Sequence, residues 1–247
     1  MMRGAFVGSN AIYKACPDIF PKPIGWGQYE SDPKAYFVLF NFVDIVAGVP
    51  DMHAYPRRLA EMHIQGIAPD GKYGFHVEVM CAFLPIYVEK HESWEEFYTK
   101  YMQHLFIAEK RAQSEPSTEM ERLTRSLFDR IIPRLIRPLE TGGREIKPRL
   151  LHSNLWDGNA GVHPETEEPS IFDPSCFYGH NEFDLGPWRC PRHKTGKPYI
   201  EEYHKSFAKS APEEDHEGQL DQRYPETYEE WATSRGETIC PMKGTIA

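Results

Sequence analysis

Asn159 and Asp173 have the residue types and spacing to hold a divalent cation that carries phosphates. Asn159 follows the compact pair Asp157-Gly158. Asp173 is delivered by the apolar pair Ile171-Phe172 and is followed by Pro174, which has no N–H to give a ladder and so ends the strand. An acidic hairpin turn, HPETEEP, separates the two. Mg²⁺ prefers one or two carboxylates with an amide oxygen, waters and substrate phosphate oxygens. A second apolar pair, Leu150-Leu151, delivers His152, Ser153 and Asn154 to a turn beside this pair. The whole stretch from Arg149 to Asp184 reads as strand, polar loop, strand, hairpin turn, strand and loop, with Asp184 fixing a loop or capping a helix.

The elements that must position these groups are mostly helical. Residues 4–16 predict a helix with Phe6, Asn10 and Tyr13 along one side, closed by Pro17. Residues 24–29 and 35–42 predict a hairpin around Ser31-Asp32-Pro33. In PRRLAEMHIQG, Leu59, Met62 and His63 share a helical face and Gly66 suits the end; His63 is read as packing on a loop rather than as a ligand. Residues 71–85 are Gly-punctuated and read as a loop. Ser93 caps a helix whose Trp94, Phe97, Tyr101, Leu105 and Ala108 follow helical spacing. Ser117 opens another through Arg130, ended by Pro133 and Pro138. A helix follows from Pro198 to Phe207, and the polar run 209–222 reads as a solvated linker. YPETYEEWA predicts one short helix, and the last fifteen residues lack a core pattern.

Composition narrows the classes. The 247 residues suffice for one large domain or two lobes. A formal charge of −9, a pI near 5.7 and no polybasic stripe exclude a nucleic-acid backbone as partner. No apolar run is long enough for a membrane span, and the start MMRGAFVGSN lacks a signal pattern, so a cytoplasmic protein without membrane contact is expected. Five scattered cysteines without a CxxC fit reduced thiols. Cys190 and His193 have a ligand-like spacing, but a second pair is missing, which argues against zinc.

The segments LLHSNLWDGNAG and IFDPSCFYGHNEFDLG resemble the fructosamine/ketosamine 3-kinase family, whose motif reads LLHGDLWxGN then IFDPAxYYGxxExDL. The likeness extends to FPKPIGWG, GFHVEVMCAFLP and SWEEFYTKY, and covers residues 4–210. It implies an α+β fold of protein-kinase and aminoglycoside-phosphotransferase type: a mostly helical large lobe with a remnant of the small β-lobe. On that frame residues 1–45 are the small-lobe remnant, 46–210 the large lobe, and 211–247 an acidic linker and tail. It also implies ATP and Mg²⁺ as cofactors, held through Asn159 and Asp173, and phosphorylation of the 3-hydroxyl of ketosamines on glycated protein lysines or small molecules. His152 would support the catalytic loop. Trp156, Phe177, Tyr178, Gly179, His180 and Glu182 would shape the substrate pocket.

In kinases an Asp five residues before the metal-binding Asn accepts the hydroxyl proton. Asn154 stands at that place. The family's FxGE segment holds a Glu that pairs the phosphate-binding Lys; here it reads GAF, with Ala5 at that place, and the small lobe that carries the Lys would precede this helix. An amide cannot take a proton, and general base catalysis is worth about 10²–10⁴-fold, so weak or absent turnover is expected. Three readings stay open: an impaired ketosamine 3-kinase, a non-catalytic pseudokinase module that binds a glycated protein or partner, and an aminoglycoside-type phosphotransferase. A remnant hairpin at 24–42 would expose a sheet edge, which predicts self-association there.

Overall fold

The computed structural model describes residues 2–112 and 118–216. Helix α1 (Met2–Ala15) forms as the periodicity requires, with Gly4, Gly8 and Ile12 facing inward and Phe6, Asn10 and Tyr13 half-buried. The reason is close approach. A Cβ on Gly4 would lie 2.1 Å from the carbonyl oxygen of Glu78, and one on Gly8 would lie 3.0 Å from Cys176 Sγ. Two glycines one turn apart therefore let the helix backbone rest directly on the loops that carry Glu78 and Cys176.

Strands β1 (Pro23–Gln28) and β2 (Tyr36–Phe40) make the expected antiparallel hairpin, with Trp26 opposite Val38. The hairpin leaves Ile24, Trp26, Tyr36 and Leu39 exposed. Helix α2 (Ala54–Gln65) buries Leu59, Met62 and His63. Gly66 closes it with a bond from its N–H to the Met62 carbonyl at 2.8 Å. Its φ is −82°, so the left-handed cap that glycine usually supplies is not used. The small residue matters because a Cβ there would meet Leu150 Cβ at 2.7 Å. Residues 71–85 are irregular apart from the two-residue strands β3 (Met80–Cys81) and β4 (Leu84–Pro85).

Ser93 caps α3 (Trp94–Ala112), its Oγ accepting the Glu96 N–H at 3.2 Å. Trp94, Phe97 and Tyr101 then pack with Phe177 and Phe183 into the aromatic centre of the core. Ser117 lies outside the described residues. Helix α4 (Thr118–Ser126) runs through a π-helical turn (Leu127–Ile131) into α5 (Ile132–Leu135) and a 3₁₀ turn (Arg137–Glu140). Pro133, expected to stop the helix, instead sits in the first turn of α5, where a missing N–H leaves no ladder bond unmade. The wider π turn just before it makes the room.

The stretch after residue 148 forms two short pairs rather than one sheet. Strand β5 (Arg149–Leu151) pairs antiparallel with β8 (Phe177–Gly179), and β6 (Ala160–Val162) with β7 (Pro169–Ile171). A long 3₁₀ segment (Asn181–Arg189) and α6 (Lys197–Ser206) complete the lobe. The run expected to be a solvated linker from 209 is packed down through His216. Ser210 N–H bonds Glu182 Oε1 at 2.7 Å, and Asp215 accepts Arg134 at 2.7 Å. Polarity misleads here because these polar groups have partners on the lobe. Residues 217–222 and the helix expected at YPETYEEWA lie outside the described residues. Among the described residues no helix is long and apolar enough to cross a membrane.

Gly4→Ala is the direct test of this close approach. In an open helix that change stabilises by about 0.5–1 kcal/mol. Against the Glu78 carbonyl it should instead cost about 1–3 kcal/mol through overpacking, read as a lower urea midpoint. An unchanged or raised midpoint would refute the close approach.

Candidate phosphate and metal site

The loop after β5 opens with a buried histidine. His152 is fully buried, and its Nε2 lies 3.0 Å from the Phe172 carbonyl, which only a protonated Nε2 can use. Its Nδ1 then accepts the Asn154 N–H at 3.3 Å. Ser153 has φ +58° and Asp173 φ +56°, left-handed conformations that cost L-residues energy and need external support.

Asp184 supplies the support for the first. This carboxylate exposes no surface and accepts the backbone N–H groups of His152 at 2.7 Å and Ser153 at 2.6 Å. His63 Nε2 donates to it from 3.1 Å. Behind His63, Tyr203 Oη lies 2.8 Å from Nδ1 and receives the Asn181 amide at 2.9 Å. The donors run in one direction: Asn181 to Tyr203, Tyr203 to His63, His63 to Asp184. Burial alone would raise the Asp184 pKa, but the hydrogen bonds from the His63 ring and the His152 backbone outweigh it and hold the carboxyl below its ordinary value.

The loop after β7 is tied to the same frame. Ser175 N–H reaches the His152 carbonyl at 2.9 Å, and Ser153 Oγ donates to the Ser175 carbonyl at 2.9 Å. Asn154 Nδ2 donates to the Asp173 carbonyl at 3.1 Å. Asn159, in the 3₁₀ turn Asp157–Asn159, is buried and donates its Nδ2 to the Asn154 carbonyl at 2.9 Å. Its own carbonyl accepts the Phe172 N–H at 3.1 Å. Asn154, Asn159 and Asp173 are thus brought together by bonds between three loops. With its amide nitrogen committed, Asn159 keeps Oδ1 as a ligand. Asp173 keeps exposed surface, and loss of water on its protein side raises its pKa. An amide oxygen beside a carboxylate is the donor set Mg²⁺ takes together with phosphate oxygens and water, so these residues fit the ion.

The other residues anticipated at the site divide. Trp156 is 45% exposed, faces the His193 ring at 6.4 Å, and overlies Gly158, where a Cβ would collide with the indole. His193, in turn, lies with Nδ1 2.6 Å from Asp157 Oδ1. Tyr178 is half-buried under the Lys90 ammonium. Phe177, His180 and Glu182 expose no surface and so cannot line an open pocket in this conformation. Phe177 packs on Phe97 and Tyr101 because alternate residues of the short strand β8 face the core. His180 Nε2 meets Ser210 Oγ at 2.8 Å, and burial pushes its pKa down to about 3. Glu182 holds the Ser210 N–H, and burial pushes its carboxyl up to about 7. His63, Asn181 and Tyr203 form the relay behind the loop, and nothing local marks them for it. Their only sequence signal is a polar group on the buried face of an otherwise apolar element.

Residues 4–217 match the protein family described as fructosamine kinase. The chloroplastic protein-ribulosamine 3-kinase of Oryza sativa subsp. indica is 30% identical over 194 residues, which are 77% of this chain and 52% of that protein. The Mus musculus ketosamine-3-kinase is 32% identical over 149 residues, 55% of this chain and 45% of that protein. The chain thus spans about half the length of these curated relatives. Among solved structures, a candidate fructosamine-3-kinase from Thermobifida fusca superposes with a TM-score of 0.62 at 22% identity, covering 84% of this chain and 64% of that one. The GDP and kanamycin complex of APH(2")-IIia gives 0.53 at 13% identity, covering 89% and 71%. These likenesses establish the α+β kinase-like fold.

Asp184→Asn is the informative substitution at this site. An amide in place of the carboxylate turns one acceptor into a donor facing buried N–H groups, an unsatisfied arrangement that costs about 1–3 kcal/mol per orphaned group. Because folding lowers the Asp184 pKa, its contribution is full above the ordinary carboxyl value near pH 4. It is lost as pH falls through the lower folded value. Urea titrations at pH 7 and pH 3 should show a large Asp184→Asn deficit at neutral pH that shrinks in acid. A deficit equal at both pH values would rule out the ionised carboxylate as the support.

Proposed function

Because the chain belongs to the fructosamine kinase family, we propose that its site binds Mg²⁺ with a nucleoside triphosphate and directs phosphoryl transfer to a ketosamine hydroxyl, at a rate limited by Asn154. The observation that carries this reading is the hydrogen-bonded convergence of Asn154, Asn159 and Asp173 on loops braced by Asp184. Asn159 Oδ1 and the Asp173 carboxylate would hold the ion, which would neutralise phosphate charge and orient the transferred group. Asn154 uses Nδ2 to tie down the Asp173 carbonyl, leaving Oδ1 to accept a hydrogen bond from the acceptor hydroxyl. It can orient that hydroxyl. It cannot remove the proton, which must leave to water. The exposed Trp156 face is the apolar surface available to the sugar of a glycated lysine or a free ketosamine.

The same observation feeds the second reading, a non-catalytic module. A side chain at the base position that serves as a bond donor to the neighbouring loop does structural work that an ionised Asp could not do there. Activity and loop stability therefore trade against each other at residue 154.

Asn154→Asp separates the two. As an impaired kinase, the protein should gain about 10²–10⁴-fold in ATP-dependent phosphorylation of a ribulosamine or fructosamine. It should also lose about 1 kcal/mol of stability with the bond to Asp173. An aminoglycoside acceptor run in parallel tests the acceptor class. No gain with any acceptor refutes the kinase reading. Thermal shift with Mg²⁺ and ATP gives an independent check: the native protein should be stabilised, and Asp173→Ala should abolish the shift. A shift that persists without Asp173 would remove it from the metal site.

A further inference from the structure

Glu182, His204 and His216 come from three separate segments: the 3₁₀ stretch Asn181–Arg189, helix α6, and the end of the described chain. One ligand atom from each lies within 4.8 Å of the others. His204 Nε2 and His216 Nε2 are 3.0 Å apart, and His216 Nε2 is 3.5 Å from Glu182 Oε2. Two ligand atoms bound tetrahedrally to one ion at about 2.0–2.1 Å stand about 3.3 Å apart. The two spacings at His216 lie on either side of that value, and the third pair lies within 4.8 Å.

The protonation pattern favours ligation. His204 Nδ1 lies 3.0 Å from the Phe207 carbonyl and must carry the hydrogen, which leaves its Nε2 lone pair aimed at His216. An imidazole whose other nitrogen donates to a backbone carbonyl is the arrangement that metal-binding histidines adopt. A plain hydrogen bond between the two rings would account for that contact and no more. It leaves Glu182 Oε2, on a side chain with no exposed surface, with no hydrogen bond, the His216 ring nitrogen standing 3.5 Å away. A buried carboxylate oxygen in that state is costly unless a cation meets it.

We propose that Glu182, His204 and His216 form a binding site for a first-row transition ion of the Zn²⁺ class. Two imidazoles and one carboxylate select such an ion over Mg²⁺ or Ca²⁺, which take oxygen ligands. Three protein ligands leave one position open. His204 and His216 also line a cavity of about 550 Å³ with Thr195 and Lys209, so water or a small anion can reach that position. The ion clamps the segment after Phe207 onto α6 and the lobe, on residues distinct from the Asn159–Asp173 pair.

Co²⁺ titration of the chelator-treated, metal-free chain tests this. The wild type should develop the visible bands of a tetrahedral nitrogen/oxygen site, saturating at a single ion per chain and bleached by Zn²⁺. His204→Ala and His216→Ala should each weaken binding more than tenfold, with circular dichroism reporting whether they fold. His163→Ala, on the β6–β7 hairpin, should leave the titration unchanged. Absence of tetrahedral bands in the wild type overturns the site without reference to any variant. So does Co²⁺ binding that survives in both folded histidine variants.

Discussion

Asp184 is the constraint on which the rest of the lobe depends. A carboxylate with no exposed surface cannot remain charged unless donors surround it. Here the donors are the backbone of His152 and Ser153 and the ring of His63. That requirement fixes where α2, α6 and the loop after β5 meet, because His63, Tyr203 and the loop must all reach one point. It also holds Ser153 in a left-handed conformation that the residue would not adopt alone. The turn toward Asn154 follows from that geometry.

Asn159 and Asp173 inherit their order from this frame through loops rather than through a continuous sheet. Strands β5 to β8 are three residues each and form two separate pairs, so ladder bonds alone would position Asn159 and Asp173 poorly. Cross-loop bonds make up the difference: His152 to Phe172, Ser175 to His152, Asn154 to Asp173 and Asn159 to Asn154. Asn154 takes part in two of them. On the proposed reading, an amide at 154 ties these loops together where kinases place a proton acceptor, and chemistry and architecture are separable at this one position. On the far side of the core, burial has shifted His180 and Glu182 away from their ordinary proton affinities. Their partners are Ser210 and His216, groups of the succeeding segment rather than of a substrate.

Much of this was legible in the residues. Apolar pairs ending in polar triplets placed the strands and turns of 149–173, since a strand must stop where Pro174 offers no N–H. The donor types of Asn159 and Asp173 pointed to a cation, and the motifs around them carried the family. The errors share a cause. The inward face of α1 was not legible, because it is set by close backbone approach at Gly4 and Gly8, which leaves little apolar signal. Pro133 was given too much stopping power because its cost depends on which turn it occupies. The polar run after 209 looked solvated, although Ser210, Asp215 and His216 have partners more than twenty residues upstream or on α6.

What the sequence determined by itself, then, is whatever depends on nearest neighbours: strand ends, turn residues, the Ser93 cap, the ligand types of Asn159 and Asp173, and the amide at 154. Tertiary structure alone decided which groups face one another. The Asn181–Tyr203–His63–Asp184 relay spans 121 residues between His63 and Asp184, and 140 between His63 and Tyr203. The convergence of Glu182 with His204 and His216 is of the same kind. The physical reason is that a hydrogen bond or a metal bond is set by distance and direction in space. Composition supplies the donors and acceptors, and only the packed chain aligns them.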